Sequence, residues 1–186
     1  MAFSKILTHR WLKTCLVAVI LTLFSVPMSG QESKNPIISV RDTVGEAGRA
    51  VAIPIEVDGL EDQDVRHMRL KVQFPLTVMS FAEIRSPVVE TEGLILNAVV
   101  ESLSEVQGSI GTVSIELDSP QAIVEGTLLE IIFDSSEEMS ESQDFLVSIV
   151  EASLENANGE NIQNVEVKAG NVIVALPMFA CFFYMH

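Results

Sequence analysis

The sequence predicts an all-β fold, a sandwich or barrel of about nine short strands, and two observations support this class. Segments rich in Val and Ile recur along the chain, and most of them alternate apolar and polar residues with a period of two. Runs of Gly, Asn, Asp and Glu separate these segments, as turns between strands do. No segment sustains a helical stripe of apolar residues over three turns. We therefore expect antiparallel strands that each bury one face.

Nine segments are predicted to be strands. They span residues 37–42, 50–57, 65–74, 78–84, 94–101, 112–118, 127–134, 145–154 and 165–174. The last two flank a loop at 156–161 in which Gly159 suits the positive φ of a hairpin turn. In the segment at 127–134 only Glu130 interrupts the apolar run, which predicts a strand that is covered on both sides or one at the centre of a sheet. Alternation places the following side chains inside: Met68, Leu70, Val72, Ile115, Leu129, Ile131 and Phe133.

The first thirty residues, 1–30, are typical of a signal peptide that is removed on export. Lys5, Arg10 and Lys13 form a basic start, and an apolar run of twelve residues follows at 15–26. That run is too short to span a bilayer. We expect cleavage after Gly30 and a secreted protein without a lipid anchor, either extracellular or held at the cell surface.

The rest of the chain divides into three parts. Residues 31–36 form an N-terminal linker, residues 37–174 form one domain, and residues 175–186 form an apolar C-terminal tail. The tail is too short to span a membrane by itself, and exposed apolar residues of this kind promote aggregation. The tail is therefore expected either to pack on the domain or to mark a truncated gene product.

Charge and cysteine content exclude several classes of protein. After Gly30, eight positive against 26 negative side chains leave a net charge of −18. This balance excludes nucleic acids and anionic membrane surfaces as partners, because both attract clustered cations. Cys15 and Cys181 lie outside the domain, which therefore has no disulfide and depends on its apolar core.

Several short motifs occur in an order that is typical of one known family. In chain order they are Gly45, Gly48, Val51, Ile53 and Pro54, then Phe74 at the end of the third strand, then Gly126, Thr127, Leu128, Ile131 and Phe133, then Asn158, Gly159 and Ile162. Together they resemble the cohesin domain, the receptor module of cellulosome scaffolds. The resemblance extends over residues 37–174.

The resemblance implies a nine-stranded jelly-roll β-sandwich that binds a partner and does not catalyse a reaction. Cohesins bind a dockerin, a small helical module that carries its own calcium, through one sheet face, and so assemble polysaccharide-degrading enzymes. The expected partner is therefore a dockerin-bearing protein, and no cofactor is expected in this chain. The alternatives are a direct carbohydrate-binding module and an orphan adhesion or scaffold domain.

The third predicted strand carries candidate partner-binding residues. Its apolar residues share one face, so that His67, Arg69, Lys71 and Gln73 share the other. In cohesins this strand lies on the dockerin-binding sheet. Asn and Asp often occupy the positions of His67 and Arg69 there, which implies a different partner specificity for this chain. The other interpretation is a solvated face whose cations balance acidic neighbours.

A neighbouring strand adds two candidates, Ser114 and Glu116. Both are expected to point outward together with Asp118, so that acidic groups face Arg69 and Lys71 across the sheet. Such pairing would satisfy much of the charge of this face within the chain itself.

Catalysis and metal binding have little support in the sequence. His67 is the only histidine between the signal peptide and the last residue, and no spacing of acidic residues indicates a glycosidase pair. Loops at 58–64 and 155–161 hold clustered oxygen groups, but neither has the order of an EF-hand. No catalytic residue and no metal site is therefore predicted.

Direct binding of polysaccharide usually depends on exposed Trp or Tyr side chains that stack on sugar rings. Trp11 and Tyr184 both lie outside the domain. The domain's aromatic residues are Phe74, Phe81, Phe133 and Phe145, and all four are expected to be buried. The sequence therefore favours a protein partner over a glycan.

Overall fold

A computed structural model describes residues 34–61, 63–86, 93–101 and 110–177 of the chain. These residues form eleven strands and no helix. The strands are β1 (Ile37–Val40), β2 (Thr43–Glu46), β3 (Ala50–Asp58), β4 (Val65–Pro75), β5 (Met79–Arg85), β6 (Ile95–Glu101), β7 (Ile110–Asp118), β8 (Gly126–Ser135), β9 (Gln143–Asn156), β10 (Glu166–Lys168) and β11 (Gly170–Ala175). The predicted signal peptide, residues 31–33 of the linker and the tail from residue 178 onward lie outside the described residues. Among the described residues, no helix has the length and apolar character needed to cross a bilayer.

The strands form two sheets that pack face to face around one core. One sheet has five strands in the order β10-β1-β3-β8-β5, and the other has six in the order β2-β11-β9-β4-β7-β6. Neighbouring strands are antiparallel, except for two parallel pairs, β1 with β10 and β2 with β11. The prediction of an all-β sandwich is confirmed.

The predicted count of nine strands is not confirmed, because the chain changes sheets twice where the sequence shows no break. The first predicted strand ends at Val40, and an unpredicted strand, β2, follows in the other sheet. The last predicted strand is divided at Ala169 into β10 and β11. A Cβ on residue 170 would lie 2.5 Å from the carbonyl oxygen of Val40, so only Gly170 fits at this close approach.

The core between the sheets follows the alternation of the strands. The residues predicted to be inside are at most 2% exposed; they are Met68, Leu70, Val72, Ile115, Leu129, Ile131 and Phe133. Phe74 of β4 packs on Phe133 of β8 across the sandwich, with 4.6 Å between ring centroids. Strand β8 lies between β3 and β5, as its apolar run predicts. Phe81 and Phe145 are only partly buried, so their predicted burial holds in part.

The loop after β9 forms the turn that the sequence predicts. The Oδ1 atom of Asn156 accepts hydrogen bonds from the backbone N–H groups of Asn158 (2.9 Å) and Glu160 (3.0 Å). Gly159 has a φ of 78°, which glycine adopts readily. The chain then passes through β10 in the five-stranded sheet before β11 pairs antiparallel with β9. The connection is therefore longer than a simple hairpin.

Truncation of the core is expected to be costly. Leu129→Ala should lower the free energy of unfolding by about 2–5 kcal/mol, because it leaves a cavity between the sheets. Urea denaturation measures this change. The matched control is Val124→Ala, at an exposed position, where a change within about 0.5 kcal/mol is expected. An equally small change at Leu129 would contradict the placement of the core.

Candidate partner-binding site

The candidate site is the outer face of β4, which lies in the interior of the six-stranded sheet between β9 and β7. The apolar residues of β4 face the core, so its polar residues face outward as the alternation predicts. These residues are His67, Arg69, Lys71 and Gln73, and we call them the β4 strip. These side chains stand in one line on the sheet, with the side chains of β9 on one side and those of β7 on the other.

Arg69 lies at the centre of the β4 strip and is held by carboxylates from both neighbouring strands. Its cross-strand partners are Glu116 on β7 and Ser153 on β9. The Nε atom donates to Glu116 Oε1 at 3.0 Å, and Nη1 lies 3.7 Å from Glu155 Oε1. The expected pairing of Arg69 with Glu116 is therefore present. The Arg69 side chain is still 59% exposed, so it remains accessible from outside.

Lys71 belongs to a second group of polar contacts, which reaches to the edge strand β6. Its Nζ atom lies 3.2 Å from Glu101 Oε2 and 3.8 Å from Glu151 Oε2. The hydroxyl of Ser114 donates to the other oxygen of Glu101 at 2.7 Å. These contacts lower the pKa of Glu101, first through the Ser114 hydrogen bond and then through Lys71. The hydrogen bond and charge of Glu101 raise the pKa of Lys71 in turn.

His67 is the most buried of the charged or titratable residues of the strip, and its side chain is 14% exposed. Its Nδ1 atom contacts Asp118 on β7, and its Nε2 atom lies 3.5 Å from Glu116 Oε1. Gln73, at the other end of the strip, pairs with Thr112 on β7 and Ser148 on β9. His67 is therefore enclosed by acidic groups, whereas Gln73 has neutral polar neighbours.

Acidic groups outnumber the cations on this face. Within the described part of the chain, five residues place a carboxylate within 4 Å of a nitrogen of the β4 strip: Glu101, Glu116, Asp118, Glu151 and Glu155. Against Arg69 and Lys71 they leave three negative charges when His67 is neutral. The strip is therefore not a free basic patch. Its geometry agrees with the interpretation that its cations balance acidic neighbours, and its role in binding a partner stays a prediction.

The face also offers a depression and apolar side chains. A shallow depression of 510 Å³ lies over β6, β7, β4 and β9, and Arg69, Lys71, Ser114 and Glu116 help to line it. Val99 of β6 lines it as well, and this residue is 62% exposed. A surface that combines an open depression, polar groups and exposed apolar residues is typical of sites that bind other proteins.

Three residues of this face were missed by the sequence analysis: Glu101, Glu151 and Glu155. The alternation of "EASLE" at 151–155 is a usable signal that its two glutamates share a face with Ser153. What the sequence does not contain is the order of strands in the sheet, which brings β9 beside β4. Alternation likewise places Glu101 on the same face of β6 as Val99, but its contact with Lys71 spans β7 and depends on the strand order.

Comparison with known proteins identifies the fold. No family model and no curated protein sequence matches the chain. Among solved structures, the sixth cohesin of scaffoldin B from Acetivibrio cellulolyticus, in complex with a mutant Cel5 dockerin, has a TM-score of 0.61 at 14% identity, over 76% of this chain and 99% of that one. The seventh ScaB type I cohesin from Pseudobacteroides cellulosolvens has a TM-score of 0.61 at 13% identity, over 82% and 98%. A non-cellulosomal cohesin from Archaeoglobus fulgidus has a TM-score of 0.57 at 12% identity, over 76% and 92%.

These similarities confirm the cohesin resemblance at the level of the fold. The chain has the jelly-roll sandwich of cohesin domains, and it accounts for 92% of the archaeal cohesin and nearly all of the other two. At identities of 12–14%, the comparison carries no information on individual site residues. The properties of the face rest on the contacts of this chain.

The lowered pKa of Glu101 provides a test of the polar network. A carboxyl group with a lowered pKa contributes stability above its ordinary pKa, and this contribution is lost as the pH falls through the lowered value. Ser114→Ala is expected to raise the pKa of Glu101 toward the ordinary value, because the Ser114 hydroxyl is the largest cause of the shift. An NMR titration of the Glu101 carboxyl carbon measures this. Ser153→Ala, on the other side of β4, is the control, and equal pKa values in both variants would contradict the network.

Proposed function

We propose that this chain is an exported, non-catalytic docking module that binds a dockerin-like protein through the outer face of its six-stranded sheet. The observation that carries the proposal is the combination of a cohesin fold with an accessible depression at the β4 strip. Two of the solved cohesins with this fold are described in complex with dockerins, from Acetivibrio cellulolyticus and Clostridium thermocellum. In this proposal any calcium belongs to the partner.

The chemistry of the face indicates what a partner surface must supply. Carboxylates at the margins, such as Glu151, favour Lys or Arg on the partner. The exposed guanidinium of Arg69 has N–H groups left to donate, which favours carbonyl or hydroxyl oxygens at the centre. Exposed Val99 favours an apolar side chain opposite β6. A mixed surface of this kind, rather than a uniformly acidic one, is the complement of this face.

The wider role follows from the type of module. As a receptor for dockerin-like proteins, the exported chain would gather polysaccharide-degrading enzymes at one place, outside the cell or on its surface. A module of this kind needs no active site, because the bound enzymes supply the chemistry. The similarity to a non-cellulosomal cohesin leaves room for partners of other kinds.

Arg69→Ala is expected to weaken binding to a dockerin-like partner by about tenfold or more, since an exposed Arg at the centre of an interface often dominates its energy. Val99→Asp should weaken the same complex, because it removes an apolar contact and adds a charge. The measurement is the dissociation constant, by calorimetry, for dockerins selected from a recombinant panel and from the exported proteins of the source organism.

The matched control is Arg41→Ala. Arg41 is likewise an exposed arginine that contacts a glutamate, Glu56, but it lies between β1 and β2 and outside the β4 strip. Binding should be unchanged in this variant. Retention of the chain on insoluble polysaccharide, with no dockerin bound and no effect of Arg69→Ala, would overturn the proposal in favour of a carbohydrate-binding module.

A further inference from the structure

His67, Glu116 and Asp118 form a cluster at one end of the β4 strip. Each offers one nitrogen or oxygen atom, and these atoms all lie within 4.8 Å of one another. The cluster is built by the sheet, because His67 pairs directly with Asp118, and Arg69 pairs with Glu116. The two carboxylates therefore stand on the same face of β7, two residues apart, beside the imidazole.

The contact with Asp118 defines the chemistry of the imidazole. An ionised carboxylate can only accept a hydrogen bond, so the Nδ1 atom of His67 carries the hydrogen in this contact. In a neutral imidazole the Nε2 atom then has a free lone pair. This Nε2 atom is shielded from solvent and has no hydrogen-bond partner among the residues that the structure describes. A buried nitrogen with an unused lone pair is unusual and calls for an explanation.

The position of Glu116 provides that explanation. Its Oε1 atom lies 3.5 Å from His67 Nε2, and no hydrogen bond forms between them. Two ligand atoms bound to one tetrahedral zinc ion, each at about 2.0–2.1 Å, are about 3.4 Å apart. The observed separation therefore matches the distance between two ligands of a single metal ion.

We propose that His67 Nε2 and Glu116 bind a divalent transition-metal ion of the zinc class, and that Asp118 orients the imidazole. A carboxylate that accepts from the second nitrogen of a metal-binding histidine is a recurrent arrangement in zinc sites. The Glu116 side chain is 42% exposed and Asp118 is 47% exposed, so an ion can enter from the solvent. The remaining coordination positions face outward and take water or a donor from another molecule.

Arg69 is the main competitor for this site. Its Nε atom donates to the same oxygen of Glu116 that faces His67. Binding of a cation must displace or weaken this contact, and the positive charge of the guanidinium opposes the ion as well. The site is therefore moderate in affinity, and removal of Arg69 strengthens it. Removal of Arg69 is thus expected to strengthen metal binding but to weaken partner binding. Failure of one proposal therefore does not imply failure of the other.

The test is a calorimetric titration of the full chain with zinc chloride, and with calcium chloride as a probe for hard cations. His9, Cys15, Cys181 and His186 also have zinc-binding chemistry, so the readout is the difference between variants of the same chain. His67→Gln and Glu116→Gln should each weaken the His67-dependent zinc binding by about tenfold or more, since even the loss of an orienting partner costs about 10- to 100-fold. Arg69→Gln should strengthen it, and Glu83→Gln, a carboxylate of the five-stranded sheet, should leave it unchanged.

NMR of the His67 side chain provides a second readout. Zinc is expected to shift the Nε2 resonance far more than the Nδ1 resonance, whereas calcium should shift neither, because it prefers oxygen ligands. Circular dichroism shows whether each variant keeps the β fold. If His67→Gln does not fold, Glu116→Gln, at a more exposed position, decides the outcome. Equal zinc affinity in the wild type and in folded Glu116→Gln, with an unmoved Nε2 resonance, would overturn the site.

Discussion

The contact between Phe74 and Phe133 is the interaction on which the orientation of the outer face depends. Phe74 ends the inward row of β4, and its ring packs on Phe133 of the opposite sheet. The same ring covers Gly111 of β7, where a Cβ would lie 2.4 Å from Cζ of Phe74. The ring thus fixes the position of β4 relative to its neighbour β7 and to β8 of the opposite sheet. A slip by one residue would turn the β4 strip into the core, so this aromatic contact also determines which side chains face the solvent.

The charged side chains of the outer face already form ion pairs with one another. Arg69 and Lys71 each contact two carboxylates from different strands, so a partner must compete with existing ion pairs. Pairs this exposed contribute little to stability, and salt screens them. Their main consequence is positional, because they hold long side chains in a defined arrangement over the sheet. Specificity then depends on which of these contacts a partner can replace.

Alternation in the sequence was sufficient to predict the sandwich, the core and the β4 strip, because each depends on a period of two within one strand. It could not predict the neighbours of β4, since pairing of residue 69 with residue 153 depends on tertiary structure. Bulges add a second difficulty. Strand β9 contains an irregularity near Val150, so that Val150 and Glu151 are both exposed and the alternation changes phase. The sequence therefore did not reveal that carboxylates of β9 and β6 reach the β4 strip, or that Glu116 and Asp118 meet at His67.

The chain changes sheets between β1 and β2 and again between β10 and β11, and these two changes determine how the domain responds to force. Strand β1 lies parallel to β10, and β2 lies parallel to β11, so the first and last segments of the sandwich run side by side in both sheets. A force that pulls residues 37 and 175 apart slides these strands past each other along their length. Their hydrogen bonds are then loaded together rather than broken one after another. The domain is accordingly arranged to resist tension applied along its own chain, which suits the docking role proposed for it.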